Sequence, residues 1–362
     1  MEGKEEDNKA TNDDLDDAKQ NKKREKEEKA MKKRLVFALV LVFFAFFVSV
    51  SQFGLAKAEQ ITLKAVTAWP KTASDNKSLD FFLESVAKQV EKKYPGELKI
   101  NLVGGPEAVK ITDQVHAAQT GMVDIVHTTN AYYVHLLPEA DAMKLSNFTP
   151  WEERANGAWA YYNELHEKKG LYFLGRIGTD LPFSLYLTKP IKTADLKGFN
   201  IRVSPMYLQL VKGLGGNPVV IPPTEVYTAL ERNVVDGYGW PTIGIREWGW
   251  EKHTKYIVEP SFYTGPHPMV MNLKTWNGLP KKFKDVIMEA AMEAEKKIVA
   301  YYKEEINKEF SLLKKAGLQV IDLPPAEKEK FLKVAYEEGW KDILAKCPET
   351  GPKLKGLLTK KK

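Results

Sequence analysis

One pattern in the sequence occurs twice. Thr112-Asp113-x-x-x-Ala117-x-x-x-Gly121-x-Val123-Asp124 returns as Thr224-Glu225-x-x-x-Ala229-x-x-x-Asn233-x-Val235-Asp236. A threonine at each start is a good helix N-cap, and the acid after it suits the positive end of the helix dipole. Gly121 and Asn233 are of the two types that most readily take the left-handed conformation ending a helix. Each copy then runs into a strand, so the chain holds one helix-to-strand unit twice. This predicts two similar α/β lobes, one centred on each copy, although so short a match also arises by chance in α/β proteins.

The flanking sequence supports the same class. An apolar strand, Ile61 to Val66, is followed by a polar loop, Trp69 to Asn76. Leu79, Phe82, Leu83, Val86 and Val90 then recur at helical spacing until Tyr94-Pro95-Gly96, and a second strand runs from Leu98 to Val103. Strand, helix, strand in this order predicts a mostly parallel sheet with helices on its faces. Near the end, Phe283, Ile287, Ala290, Ala294, Ile298, Tyr302, Ile306, Phe310 and Leu313 keep helical spacing with no internal Gly or Pro. A helix from Leu279 to Lys315 would be about 50 Å long, more than one lobe. A coiled coil leaves a similar stripe, but no second segment matches it.

The stretch from Leu196 to Pro241 carries the chemistry. Arg202 interrupts the apolar run Phe199, Ile201, Val203 and precedes a Ser-Pro break, so it leaves the carboxyl end of a short strand, where open α/β sheets bind ligands. Its planar fork of donors suits a carboxylate or phosphate. A pair with a protein carboxylate is the competing expectation, because buried arginine is rarely unpaired. Aromatic residues recur where strands end: Trp69 after the first strand, Tyr132 and Tyr133 after Ile125 to Thr129, Phe183 after Leu171 to Ile177, and Tyr238 and Trp240 after Val235. Such loops line ligand pockets, although each aromatic singly also suits core packing.

The run LKG-x-x-IRV, then LG-G-NPV, P-x-EVYTAL and VVDG-x-x-x-P, in this order, resembles the substrate-binding proteins of tripartite ATP-independent periplasmic (TRAP) transporters, the DctP family. The likeness extends more loosely from about Ile61 to about Tyr336. It implies a two-lobed periplasmic-binding-protein fold (Venus flytrap) with a long helix bracing both lobes. It also implies a soluble monomeric receptor that captures a small organic carboxylate and delivers it to membrane permease subunits. On this resemblance Arg202 forms the salt bridge to the ligand carboxylate, with Asn130, Trp69, Tyr132, Phe183, Tyr238 and Trp240 around it. The sequence departs from the family where Trp240 replaces an asparagine, Pro223 a phenylalanine, and Pro182 or Phe183 a second arginine. Arg176 is the candidate to restore that cation. Fewer polar groups argue against a dicarboxylate, whose second charge would stay unpaired in a desolvated cleft. A monocarboxylate with an apolar or aromatic body is expected. A receptor feeding a sensor and an enzyme on the same scaffold remain the rival readings.

Other signals set the compartment and the limits. Residues 1–30 are lysine, glutamate and aspartate with few apolar residues, a disordered composition. Met31 to Arg34, the apolar run Leu35 to Val50 and the triplet Ala56-Lys57-Ala58 form a signal peptide over residues 31–58, cleaved after Ala58 for export to the periplasm. The run is short for a membrane anchor, the competing expectation. The expected division is 59–182 with 269–300 for one lobe, 183–268 with 301–345 for the other, and 346–362 as a solvated basic tail. One cysteine, Cys347, allows no internal disulfide. A formal charge of +6 spread through the helices offers no track for nucleic acid. No metal, cofactor or catalytic residue is expected: the six histidines form no zinc-protease pair, and no G-x-S-x-G or G-x-x-x-x-G-K occurs. Gly213 to Gly216 follows a helix pattern and reads as a helix end.

Overall fold

A computed structural model describes residues 19, 22–40 and 60–360. Residues 22–40 are helical and exposed throughout, in a unit separate from the one that starts at Gln60. A disordered segment was expected up to residue 30. The described part is helical because Lys, Glu and Ala are strong helix formers and pairs such as Glu28–Lys32, at 2.8 Å, fall at the spacing of one turn. No helix among the described residues is long and apolar enough to cross a membrane. The second half of the apolar run and the cleavage site after Ala58 lie outside the described residues.

From Gln60 the strands are β1 (Ile61–Thr67), β2 (Leu98–Gly104), β3 (Ile125–His127), β4 (Leu171–Gly178), β5 (Pro182–Leu187), β6 (Asn200–Val203), β7 (Asn217–Val220), β8 (Gly237–Pro241), β9 (Tyr256–Thr264), β10 (His267–Asn272) and β11 (Gln319–Asp322). The helices are α1 (Lys77–Lys93), α2 (Gln114–Thr120), α3 (Pro150–Asn156), α4 (Ala158–Glu167), α5 (Leu208–Gly213), α6 (Pro223–Glu231), α7 (Leu273–Gly278), α8 (Lys281–Lys315), α9 (Pro325–Lys346) and α10 (Gly351–Leu358). The first sheet has the order β2-β1-β3-β10-β4 and the second β11-β9-β5-β8-β6-β7. Both are mixed rather than mostly parallel. β1 is parallel to its neighbours β2 and β3, and β6 to β7 and β8, while β10 and β5 run antiparallel beside these triplets.

The sequence repeat is a repeat of structure. The Asp124 amide donates to the Lys64 carbonyl and its carboxylate accepts from the Lys64 amide; Asp236 makes the same two bonds to Asn200. Gly121 and Asn233 end their helices at φ +80° and +56°. The starts differ from expectation. Thr112 lies in a short 3₁₀ turn and Thr224 is already inside α6, and neither caps a helix. Pro223, whose fixed φ suits the first helical position, starts α6 instead.

The long helix α8 crosses both sheets. Phe283, Val286, Ile287, Ala290, Ala291 and Ala294 pack into the core of the first sheet, Ile298 and Tyr302 meet Leu181 and Ile243, and Leu313 enters the core of the second. The basic tail needs correction. Residues 351–358 form α10, whose Leu354 and Leu358 are fully buried in the core shared with α9. The lysines dominate the composition there, but the leucines recur on one helical face, and the Leu358 carbonyl accepts the Asn147 amide at 2.9 Å. Leu354→Ala should therefore lower stability by about 2–5 kcal/mol. Urea unfolding measures this, and a solvated tail would give no change.

Candidate functional site

Between the two sheets lies a narrow cavity of about 30 Å³, room for roughly one water molecule. The first sheet contributes Trp69, Asp75, Thr129, Ala131, Tyr132 and His267. The second contributes Phe183, Arg202, Ser204, Met206, Trp240, Pro241 and Gly265. Arg202 is 1% exposed. Its Nε donates to the Ile221 carbonyl at 3.0 Å, its Nη1 to the Tyr207 hydroxyl at 3.1 Å, and the guanidinium lies 5.8 Å from the centre of the Trp240 ring. No carboxylate among the described residues lies within 4.0 Å of it. The pairing left open by the sequence is thus settled: this buried cation has hydrogen bonds but no countercharge.

Tyr207 fixes the arginine. Its hydroxyl takes bonds from Arg202 Nη1 and from the Gly239 amide, and its proton faces the Arg202 and Gly239 carbonyls, both at 3.0 Å. The tyrosine ring can approach β8 only because residue 239 has no side chain: a Cβ there would lie 2.8 Å from ring carbons. On the opposite wall Trp69 is wedged between His127 and His267, with ring centres 5.0 and 4.5 Å away. Burial holds both imidazoles neutral, with His267 pushed down to about 3 and His127 well below its usual range. Burial, reinforced by the charge of Glu247, also pushes the Asp75 carboxyl up to about 7, against a smaller opposing pull from its own backbone.

The structure brings Arg202, Trp240, Trp69, Tyr132 and Phe183 to the cavity wall. It leaves three expected residues outside. Arg176 is held by both oxygens of Glu153, at 3.0 and 2.7 Å, so its charge is already matched and cannot serve as a second cation. Asn130 donates to Asp141 Oδ1 at 3.1 Å, and Asp141 in turn holds the buried Lys144, which reaches the Met206 carbonyl; the amide supports the wall rather than forming it. Tyr238 stacks on Tyr186 and donates to Thr254 Oγ1 at 2.6 Å, in the core behind the sheet. Tyr238, Trp240 and Phe183 are also within strands, not in the loops after them. Asp75, His267 and Tyr207 are the contributors that sequence reading missed. Asp75 lies in a polar loop that reads as solvated, and only the long-range packing of that loop buries it.

The chain matches the model of bacterial extracellular solute-binding protein family 7 (DctP) over residues 70–346. A monocarboxylate 2-oxoacid-binding periplasmic protein of Nostoc sp. is 29% identical over 245 residues, which cover 62% of this chain and 65% of that relative. A TRAP periplasmic solute-binding protein from Desulfovibrio salexigens, solved with bound orotic acid, superposes with a TM-score of 0.72 at 20% identity, covering 83% of this chain and 97% of that one. DctP7, a Bordetella pertussis extracytoplasmic solute receptor binding pyroglutamic acid, gives 0.71 at 17% identity, covering 83% and 99%.

Because its carboxyl is raised in the folded protein, Asp75 opposes folding increasingly as pH rises from about 4 and fully above about 7. Asp75→Asn should stabilise the unliganded protein at pH 8, by at most about 4 kcal/mol, and leave it nearly unchanged at pH 4. Thermal unfolding of both proteins at the two pH values checks this. An equal difference at both would contradict the burial of an ionisable Asp75.

Proposed function

The chain belongs to family 7 of the bacterial extracellular solute-binding proteins, and we propose that it captures a small organic monocarboxylate with an apolar or aromatic body. It does so outside the cytoplasm, after removal of residues up to Ala58, and passes the ligand to TRAP permease subunits as a monomeric receptor. The observation that carries this reading is the unpaired guanidinium of Arg202 at the cavity wall. An isolated buried charge is unfavourable, and a carboxylate held by the remaining N–H groups of the guanidinium removes that penalty with charge-assisted bonds.

The walls set the rest of the ligand. Trp69, Tyr132, Phe183, Met206 and Trp240 offer apolar surface on both sides. With Arg176 committed to Glu153, no second guanidinium receives a second carboxylate, and Asp75 in the same wall would repel one. Of the ligands named for similar proteins, a 2-oxo monocarboxylate, orotic acid and pyroglutamic acid have one carboxyl group, while malonate has two and glucuronate has a polar body.

Closure follows from the distribution of contacts. We take residues 59–182 with 269–300 as one lobe and 183–268 with 301–345 as the other. A carboxylate on Arg202 whose body touches Trp69 and Tyr132 binds the closed form better than the open one and shifts the population toward it. Exclusion of water then strengthens the attraction to Arg202. A thermal-shift panel of monocarboxylates and dicarboxylates tests the reading. Monocarboxylates should raise the melting temperature of the wild type. Arg202→Ala should lose about 2–5 kcal/mol of binding, roughly 30-fold or more in affinity, while circular dichroism shows it folded. Unaltered affinity in that variant would refute the assignment.

A further inference from the structure

The cavity wall holds a second charged group without a partner. Asp75 is 4% exposed, and its Oδ2 is buried with no hydrogen-bond partner among the described residues. It lines the same cavity as Arg202, yet the two form no ion pair. Ser74 Oγ and Trp240 Nε1 are likewise buried without partners. These atoms gather around Gly244, at φ +97°: a Cβ built there would lie 3.7 Å from Asp75 Oδ2, 3.8 Å from Ser74 Oγ and 3.2 Å from Trp240 Nε1.

The groups facing Asp75 do not neutralise it. Glu247, in the chain after β8, accepts the Ser74 amide at 3.1 Å and adds a second negative charge. His267 on β10 is held neutral by burial, and Tyr302 on α8 and Tyr132 in the turn after β3 both sense the negative charge of Asp75. The cavity is therefore positive at Arg202 and carries at Asp75 an acid that turns negative only when its proton leaves, at about pH 7 or when a cation approaches, with aromatic surface along its walls.

We propose that the ligand is a zwitterion whose carboxylate meets Arg202, whose ammonium group meets Asp75, and whose apolar body lies against Trp69, Phe183 and Trp240. This rests on the reading that Arg202 holds a carboxylate and specifies the other end of the molecule. A simple acid would leave Asp75 buried and unpaired, and a diacid would place like charges together. An ammonium group instead satisfies the acceptor with a charged bond in a site that excludes water. It also draws the Asp75 proton off, so binding near pH 6 should release protons to the buffer.

Calorimetry of the full chain against matched pairs tests this: phenylalanine and 3-phenylpropanoate, leucine and 4-methylpentanoate, 4-aminobutanoate and butanoate, 5-aminopentanoate and pentanoate. In at least one pair the amino acid should bind 10-fold or more tightly than its deaminated twin. Asp75→Asn should erase that difference by weakening the amino acid alone, and Arg202→Ala should weaken both members. Twins that bind equally or better in every pair overturn the proposal. If that binding still depends on Arg202, the carboxylate reading stands without it; if it does not, both fall. Absence of binding by all eight compounds also overturns the ammonium assignment, and Arg202-dependent binding of another acid would again leave the carboxylate reading intact.

Discussion

A guanidinium taken out of water needs a negative partner, and the one on Arg202 has none of its own. The structure spends several elements on keeping it that way. Tyr207 and the Ile221 carbonyl take two of its N–H groups as neutral acceptors, Gly239 makes room for the tyrosine, and Trp240 offers the face of its ring. Neutral acceptors orient the group without quenching its charge. Arg176 shows the alternative within the same chain. It is equally buried, but Glu153 holds two of its three nitrogens, and the cavity gains nothing from it.

The repeated unit explains where this charge sits. Asp124 and Asp236 each clamp the preceding parallel strand by two backbone bonds, which places Arg202 of β6 at the position of Val66 in β1. One half thus presents a cation where its counterpart presents a methyl-bearing core residue. The first half answers with a different set, the loop from Trp69 to Asn76, pinned by the neutral histidines and by the bond from the Ser74 amide to Glu247 of the second half. α8 joins the two cores, and α9 and α10 close the far side.

Much of this was legible in the residues because it rests on local periodicity. The order of strand and helix, the length of α8 and the left-handed helix ends at Gly121 and Asn233 follow from spacing and backbone preference. Arg202 stood out because it breaks an apolar strand. Arg176 breaks one too, and nothing local shows that Glu153, set on α3 by the Thr149 capping box, reaches it. Partners distant in sequence account for the other misses. The Gly-Tyr-Gly-Trp-Pro run reads as the loop after a strand, yet it is β8, with glycine serving the approach of Tyr207. Asp75 reads as a solvated loop acid until packing removes its water. α10 was hidden by lysines around a leucine stripe.

A crystal structure of the protein grown with the ligand it binds would test the central claim most directly. The account predicts a ligand carboxylate within hydrogen-bonding distance of Arg202 Nη2, the nitrogen that Tyr207 and Ile221 leave free, between Trp69 and Trp240. A ligand bound elsewhere, or an Arg202 side chain rotated onto a protein carboxylate and away from the cavity, would contradict it.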